Sequence, residues 1–132
     1  MRAFDAKTRY ALLAAMDLAA HYDGTTPSKV REIAARTGVP PKYLVHILLK
    51  LKRRALVNST RGARGGYWLL RPPELISAAE VIGAVEAEGR ARGALSDDGP
   101  HDRAIRRLRD ESERRRQEYL AGVTLAELLG RA

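Results

Sequence analysis

The chain has 132 residues, no cysteine, and 24 Lys and Arg against 16 Asp and Glu, which gives a formal net charge of +8. The absence of cysteine excludes disulfides, thiolate zinc sites, cysteine-held iron–sulfur clusters and thiol redox sensing. The chain has three histidines, His21, His46 and His101, and they are too far apart in sequence to suggest a metal site. The basic excess lies entirely in residues 1–76, with 14 Lys and Arg against five Asp and Glu (net +9), whereas residues 77–132 hold ten against eleven (net −1), as expected of a phosphate-binding module joined to another element.

A first helix is predicted to begin at the N-cap Asp5 and to end near Tyr22, where Asp23 and Gly24 stop it. Its apolar run is short and is interrupted by Asp17, so a signal peptide is disfavoured. No stretch approaches the roughly 18–20 apolar residues of a membrane span. We therefore expect a cytoplasmic protein without a membrane partner.

A helix-turn-helix is predicted next. Ser28 is expected to cap a second helix over residues 29–37, Gly38 to end it, and the sequence Val39-Pro40-Pro41 to start a third helix. Ala34 permits close helix crossing, Gly38 makes the sharp turn, and Leu44 holds the third helix on the second.

The third helix has two distinct faces. The spacing i, i+3, i+4, i+7 predicts a buried stripe of Leu44, Ile47, Leu48 and Leu51. The opposite face then carries Lys42, His46, Leu49 and Arg53, flanked by Val45 and Lys50. Lys42, near the helix start, is expected to reach DNA, whereas base contact and plain solvation are equally open for His46. Tyr43 is expected to pack beside the helix with its hydroxyl free to reach a phosphate, and Lys50, Lys52 and Arg53 to contact the DNA backbone.

A β-hairpin is predicted to follow, because two β-type runs flank the turn Arg61-Gly62-Ala63-Arg64-Gly65-Gly66. Arg61 and Arg64 are the strongest candidates for nucleic-acid contact, with minor-groove insertion and phosphate binding both open. Gly65 and Gly66 are included among the predicted DNA contacts, because glycine lets a backbone approach another surface closely. An ordinary surface turn is the alternative. Trp68 is expected to be a core residue of the hairpin.

The remaining chain is predicted to be helical. The sequence Ser77-Ala78-Ala79-Glu80 is a capping box that opens a fourth helix, with Val81, Ile82 and Val85 facing inward. Residues 88–100 are expected to be a loop, residues 102–120 a long charged helix closed by Gly122, and the capping box at residues 124–127 the start of a short terminal helix. The expected fold is mainly α with a small β-hairpin, divided into a DNA-binding domain at residues 1–87 and an accessory segment at residues 88–132.

One set of residues forms a known pattern: Tyr43, Leu44, Leu48, Leu51, Leu56, Val57, Ser59, Arg61, Gly62, Gly65, Gly66 and Tyr67. It resembles the signature of the Rrf2 family of bacterial winged-helix regulators, which includes the iron–sulfur cluster regulator, the nitrite-sensitive repressor and the cysteine-metabolism repressor. Residues 9–12 and 124–128 also fit. The resemblance implies a winged helix-turn-helix with Ser59 at the DNA interface, and a homodimer that binds palindromic operator DNA. It also implies that the long C-terminal helix is the dimerisation helix, with Ile105, Leu108, Tyr119 and Leu120 as its apolar contacts.

Three features depart from the family pattern. Iron–sulfur members carry three cysteines in the loop before the dimerisation helix, and this chain has none, so cluster sensing is not carried over. Val45 occupies a position that is often acidic in the family, so the operator preference of cluster-binding members is not transferred either. The long helix is poor in apolar residues, so its dimer contacts are expected to use Arg/Glu pairs or the first helix as well.

The sequence therefore predicts a homodimeric, operator-binding transcriptional regulator, a repressor without a cofactor, whose effector is an unidentified small molecule or protein. Two alternatives stay open: a winged-helix module that binds a protein partner, and a non-specific architectural DNA binder. An enzyme is disfavoured because no nucleophile–base arrangement, carboxylate cluster or phosphate loop at a helix start is visible.

Overall fold

The computed structural model describes residues 4–86 and 99–131, so the predicted loop at residues 88–100 lies almost wholly outside the described residues. The first helix, α1, covers Ala6–Ala20. The N-cap prediction is confirmed, because Asp5 Oδ1 accepts a hydrogen bond from the backbone N–H of Thr8 at 2.8 Å. The helix ends at Ala20, two residues earlier than predicted, and His21 is its C-cap.

The helix-turn-helix consists of α2, Val30–Thr37, and α3, Pro41–Arg53. Gly38 lies between them with φ +79°, a left-handed conformation that favours glycine, as the turn prediction requires. The capping role predicted for Ser28 is wrong. The N-cap is Lys29, whose backbone N–H donates to Glu32 Oε1 at 2.7 Å, while Ser28 pairs with Tyr67 in the hairpin.

The predicted hairpin forms from β1, Val57–Thr60, and β2, Gly66–Leu69, which pair antiparallel with Val57 opposite Leu69 and Thr60 opposite Gly66. Leu69 supplies its core side chain, at 3 % exposure. The expectation for Trp68 is wrong, because Trp68 is half-buried beside the loop at residues 22–26 and is not part of the buried core. Alternating residues of a strand point to opposite faces, so only one of these two neighbours can enter the core.

A short 3₁₀ turn, Pro73–Leu75, leads into α4, Ala78–Glu86. The capping box is confirmed, because the Glu80 N–H donates to Ser77 Oγ at 3.1 Å and the Ser77 N–H donates to Glu80 Oε1 at 3.0 Å. The long helix α5 covers Pro100–Ala121, and the terminal helix α6 covers Leu125–Arg131. The α6 start is joined to the α4 start by backbone hydrogen bonds from Ala78 to Val123 and from Leu125 to Ile76.

The core lies where α1 packs against α2, α3, α4 and α6. Its fully buried large side chains come from nearly every element: Ile33, Val39, Leu44, Leu48, Leu51, Val57, Ile76, Val81, Val85 and Leu125. A smaller apolar cluster joins α5 to α4 through Leu120, Ala79 and Ile82. The mainly helical winged-helix prediction is thus confirmed, and none of the helices within residues 4–86 and 99–131 is long and apolar enough to cross a membrane.

Candidate nucleic-acid interface

The two faces of α3 have the polarity that its sequence predicts. Leu44, Ile47, Leu48 and Leu51 are 0–3 % exposed and fix the helix on the core. The other face carries exposed Lys42, Tyr43, Val45, His46, Leu49 and Arg53. Since the apolar stripe is fully occupied by internal packing, α3 turns a mixed basic and apolar surface to the solvent.

Three of the predicted DNA contacts, Tyr43, His46 and Lys50, lie together at a groove between α3 and the start of α1. The groove has a volume of about 360 Å³ and also includes Ala6, Lys7, Tyr10 and Ile47. The rings of Tyr10 and Tyr43 have centroids 6.1 Å apart at an interplanar angle of 36°. The groove also includes Lys7 of α1, which adds a positive charge beside α3. Lys7 was not among the site residues predicted from the sequence.

The wing is the β1–β2 hairpin, and its tip is residues 61–65. Arg61 and Arg64 are exposed at the tip. The tip is closed by a hydrogen bond from the Gly65 N–H to the Gly62 carbonyl at 2.9 Å, with Gly62 at φ +106°. Both arginines therefore extend from a defined turn.

Gly65 and Gly66 are required by contacts inside the chain. Gly65 is buried, and a Cβ there would overlap the carbonyl oxygen of Thr60. Gly66 has φ +150°, and a Cβ there would overlap the carbonyl oxygen of Ser28. The surface that the glycine backbone approaches closely is thus this chain's own, and DNA contact by the two glycines stays a prediction.

Ser59 lies on β1, next to the end of α3. Lys52 Nζ donates to Ser59 Oγ at 2.9 Å, which ties the last turn of α3 to the wing. The structure therefore brings Ser59 together with a cation of α3, and this pair forms the junction between the two predicted DNA-contacting elements.

Two further contacts attach the wing to Ser28 and Lys29, the residues directly before α2. Lys29 Nζ donates to the carbonyls of Ala63 at 2.6 Å and Gly65 at 3.4 Å. Ser28 exchanges two backbone hydrogen bonds with Tyr67, at 2.7 and 2.8 Å. No local sequence signal marks Lys29, because its partners lie 34 and 36 residues further along the chain.

An ion pair between Arg36 and Asp17 joins α2 to α1 next to this attachment. Arg36 donates to both carboxylate oxygens of Asp17, whose side chain is 8 % exposed, and to Ser28 Oγ at 3.1 Å. The hydrogen bond to Asp17 raises the pKa of Arg36 above its ordinary value. At the start of α2, the Lys29 backbone N–H lowers the pKa of Glu32. Both groups are therefore charged near neutral pH and stabilise the entry to the helix-turn-helix.

The predicted dimer contacts divide into two groups. Ile105, Leu108 and Tyr119 are 62 %, 71 % and 61 % exposed, and their spacing along α5 places them on one face. Leu120 is only 8 % exposed and packs within the chain against Ala79 and Ile82 of α4. The structure thus gives Leu120 an internal role and leaves three side chains as the exposed apolar stripe of α5.

The charges of α5 pair mainly along the helix. Arg114 bonds Glu111 and Glu118, and Arg115 Nε donates to Glu111 at 2.8 Å. These bonds lower the pKa of Glu111, with Arg115 the larger cause, and raise that of Arg114. Such i,i+3 and i,i+4 pairs stabilise an exposed helix with little buried surface.

The residues present do not fit a cysteine-held iron–sulfur cluster. The sequence contains no thiolate donor. Within the described ranges, the structure also contains no group of three or more His, Asp or Glu side chains arranged to hold a metal ion.

Comparison with known proteins identifies relatives along almost the whole chain. The model of the Rrf2 family, described as iron-dependent transcriptional regulators, matches residues 4–131. The HTH-type transcriptional regulator IscR of Sodalis glossinidius is 37 % identical over 127 residues, which are 93 % of this chain and 76 % of that protein.

Two solved structures are similar to this fold. IscR of T. potens is 31 % identical, with a TM-score of 0.75 over 98 % of this chain and 87 % of that one. CymR, the global cysteine regulator of B. subtilis, is 31 % identical, with a TM-score of 0.77 over 100 % and 99 % of the two chains.

Proposed function

The chain belongs to the Rrf2 family of helix-turn-helix transcriptional regulators, and we propose that it is a repressor that binds palindromic operator DNA as a homodimer without an iron–sulfur cluster. Its DNA-binding domain is residues 1–87, and the long helix within residues 88–132 supplies the dimer contacts.

The main support for the proposal is the exposed face of α3, which lies beside the wing. Exposed Lys42 and Arg53 on α3 and exposed Arg61 and Arg64 on the wing are donors on two elements joined by the Lys52–Ser59 hydrogen bond. An α-helix fits the major groove, and flanking cations bind phosphates, so the same surface can read bases and anchor the backbone.

The exposed apolar stripe of α5 supports a second copy of the chain as the partner. Ile105, Leu108 and Tyr119 share one face of a 22-residue helix, and the same stripe on a second copy is self-complementary in a two-fold dimer. Two-fold symmetry would place two α3 helices in successive major grooves of one face of the duplex.

A protein-interaction module is the second candidate function, because apolar side chains are exposed on the same face of α3: Tyr43 is 55 % exposed, and Val45 and Leu49 are each 41 % exposed. Salt-dependent binding to DNA distinguishes the regulator from this module. A large ratio of operator to random-sequence affinity distinguishes it from an architectural binder.

Footprinting of the purified protein on the intergenic DNA beside its own gene tests the proposal. We expect protection of an inverted repeat whose half-sites lie about one or two helical turns apart, roughly 10–21 base pairs. We also expect lower expression of a reporter gene placed behind that sequence. Protection of a single unrepeated site by a monomer would contradict the proposal.

A further inference from the structure

We propose that Lys29 is a positioning residue of the DNA interface: its ammonium group holds the wing tip in the conformation that presents Arg64. This inference rests on the proposed role of the wing in DNA binding. Lys29 belongs to the basic part of the chain, residues 1–76, so charge alone would place it among the phosphate contacts. Its geometry assigns it to the protein instead.

The first argument is where the ammonium group lies. Lys29 is half-buried, and its Nζ donates to the carbonyls of Ala63 and Gly65. These are the residues on either side of Arg64, so one cation fixes the carbonyls that flank it. A backbone held on both sides of Arg64 restricts the directions in which the guanidinium can extend.

The second argument is that the wing base is attached independently. Ser28 and Tyr67 exchange two backbone hydrogen bonds, and Gly66 approaches the Ser28 carbonyl so closely that no Cβ fits. Loss of the Lys29 side chain therefore leaves the hairpin paired and attached, and only the tip loses a contact. Lys29 variants are for this reason expected to fold.

The third argument concerns binding energetics. A glycine-rich turn loses conformational freedom when it is ordered on DNA, and a tip already held by the protein avoids most of that loss. The ammonium donates to two carbonyls of the wing tip, so it would have to give up these hydrogen bonds to contact a phosphate. Lys29 is thus expected to increase DNA affinity through Arg61 and Arg64 without contacting DNA.

Amide hydrogen exchange in the DNA-free protein provides the first test. The Gly65 N–H, which donates to Gly62, should exchange roughly tenfold faster in Lys29→Met. It should return close to the wild-type rate in Lys29→Arg, whose guanidinium can donate to the same carbonyls. Arg31→Met is the control, because Arg31 has no hydrogen bond to the wing in the described part of the chain. Unchanged exchange in Lys29→Met would overturn the proposal.

A mutant cycle on a mixed-sequence DNA duplex provides the second test. Lys29→Met should weaken binding roughly tenfold in the wild-type background and less than about twofold in the Arg61→Ala/Arg64→Ala background. Equal losses in both backgrounds would mean that Lys29 contacts a phosphate directly, which would also overturn the proposal. If Arg61→Ala/Arg64→Ala binds like the wild type, the proposed role of the wing fails, whereas the exchange test still decides the contact made by Lys29.

Discussion

Lys42 and Arg53 lie at opposite ends of α3 on its exposed face, and we expect them to serve DNA binding differently. Arg53→Ala should weaken binding to all sequences and reduce the slope of log K against log salt by about 0.9, because one phosphate contact releases about that many counterions. Lys42→Ala should weaken the free energy of binding by about 1–3 kcal/mol, mainly on operator DNA, because a base contact distinguishes one sequence from another. Titrations on operator and random duplexes at several salt concentrations measure both effects.

The control for this pair is Glu74→Gln, an exposed change in the 3₁₀ turn away from α3 that should alter neither affinity nor salt slope appreciably. If Lys42→Ala weakened operator and random DNA equally, Lys42 would be a phosphate anchor without a role in sequence recognition.

At the scale of elements, the wing is attached to the segment directly before α2 through the contact between Gly66 and Ser28. Gly66→Ala should destabilise the protein by at least about 1 kcal/mol, because alanine at φ +150° is strained and its Cβ overlaps the Ser28 carbonyl. It should also weaken DNA binding, since the strand that carries the wing tip must shift away from α2. Chemical denaturation and DNA titration measure the two effects.

Gly62→Ala is the matched comparison for this prediction. Its φ of +106° is also unfavourable for alanine, but none of the described atoms lies within 4 Å of its Cβ position. We therefore expect a smaller loss of unfolding free energy from Gly62→Ala than from Gly66→Ala. Equal losses would show that backbone strain alone, without the approach to Ser28, determines the need for glycine.

At the scale of the whole molecule, α5 extends from the core and exposes its apolar stripe. Leu108→Glu places a charge where side-chain exposure is 71 %, so the protomer should keep its unfolding free energy. In the proposed dimer the same charge would be buried at the interface between the two copies. The dimer should therefore dissociate, and the affinity for the operator should fall. Sedimentation of the variant beside the wild type measures the change.

Gln117→Glu is the control for the dimer prediction. It adds the same charge to a different face of α5, beside Glu86 and Arg116. We expect it to remain dimeric. A Leu108→Glu variant that sediments as a dimer would place the interface elsewhere.

If the chain is the proposed homodimer, a signal response is a property of both copies together. Without cysteine, any signal must come through a small molecule, another protein or a non-thiolate cofactor. Each can act only by binding the DNA-competent and DNA-incompetent forms of the proposed dimer with different affinity. The junction of α4 and α5, where Leu120 packs on Ala79 and Ile82, is the proposed point of control, because a shift there would change the distance between the two α3 helices.

The purified protein is therefore expected to be colourless and iron-free, and to bind its operator unchanged after treatment with a thiol oxidant. Metal analysis, the visible absorption spectrum and operator titration measure this. A coloured, iron-loaded protein whose DNA affinity follows its iron content would contradict it.

The helices, the caps of α1 and α4 and the two faces of α3 could be predicted from residue order, because hydrophobic spacing and capping act over three or four residues. The wing could also be predicted, since its glycines and arginines are neighbours in sequence. These local rules give the Leu44–Leu51 stripe, the Asp5 cap and the Ser77–Glu80 box, all of which the structure confirms.

Only the tertiary structure decided which partners are contacted by the residues that the sequence marks as exposed or as helix caps. Ser28 pairs with β2 instead of capping α2, Lys29 holds the wing tip, and Leu120 packs on α4. Each of these contacts joins residues more than 30 positions apart along the chain. Their partners are set by how whole elements pack around the core, and no spacing within one element encodes that arrangement.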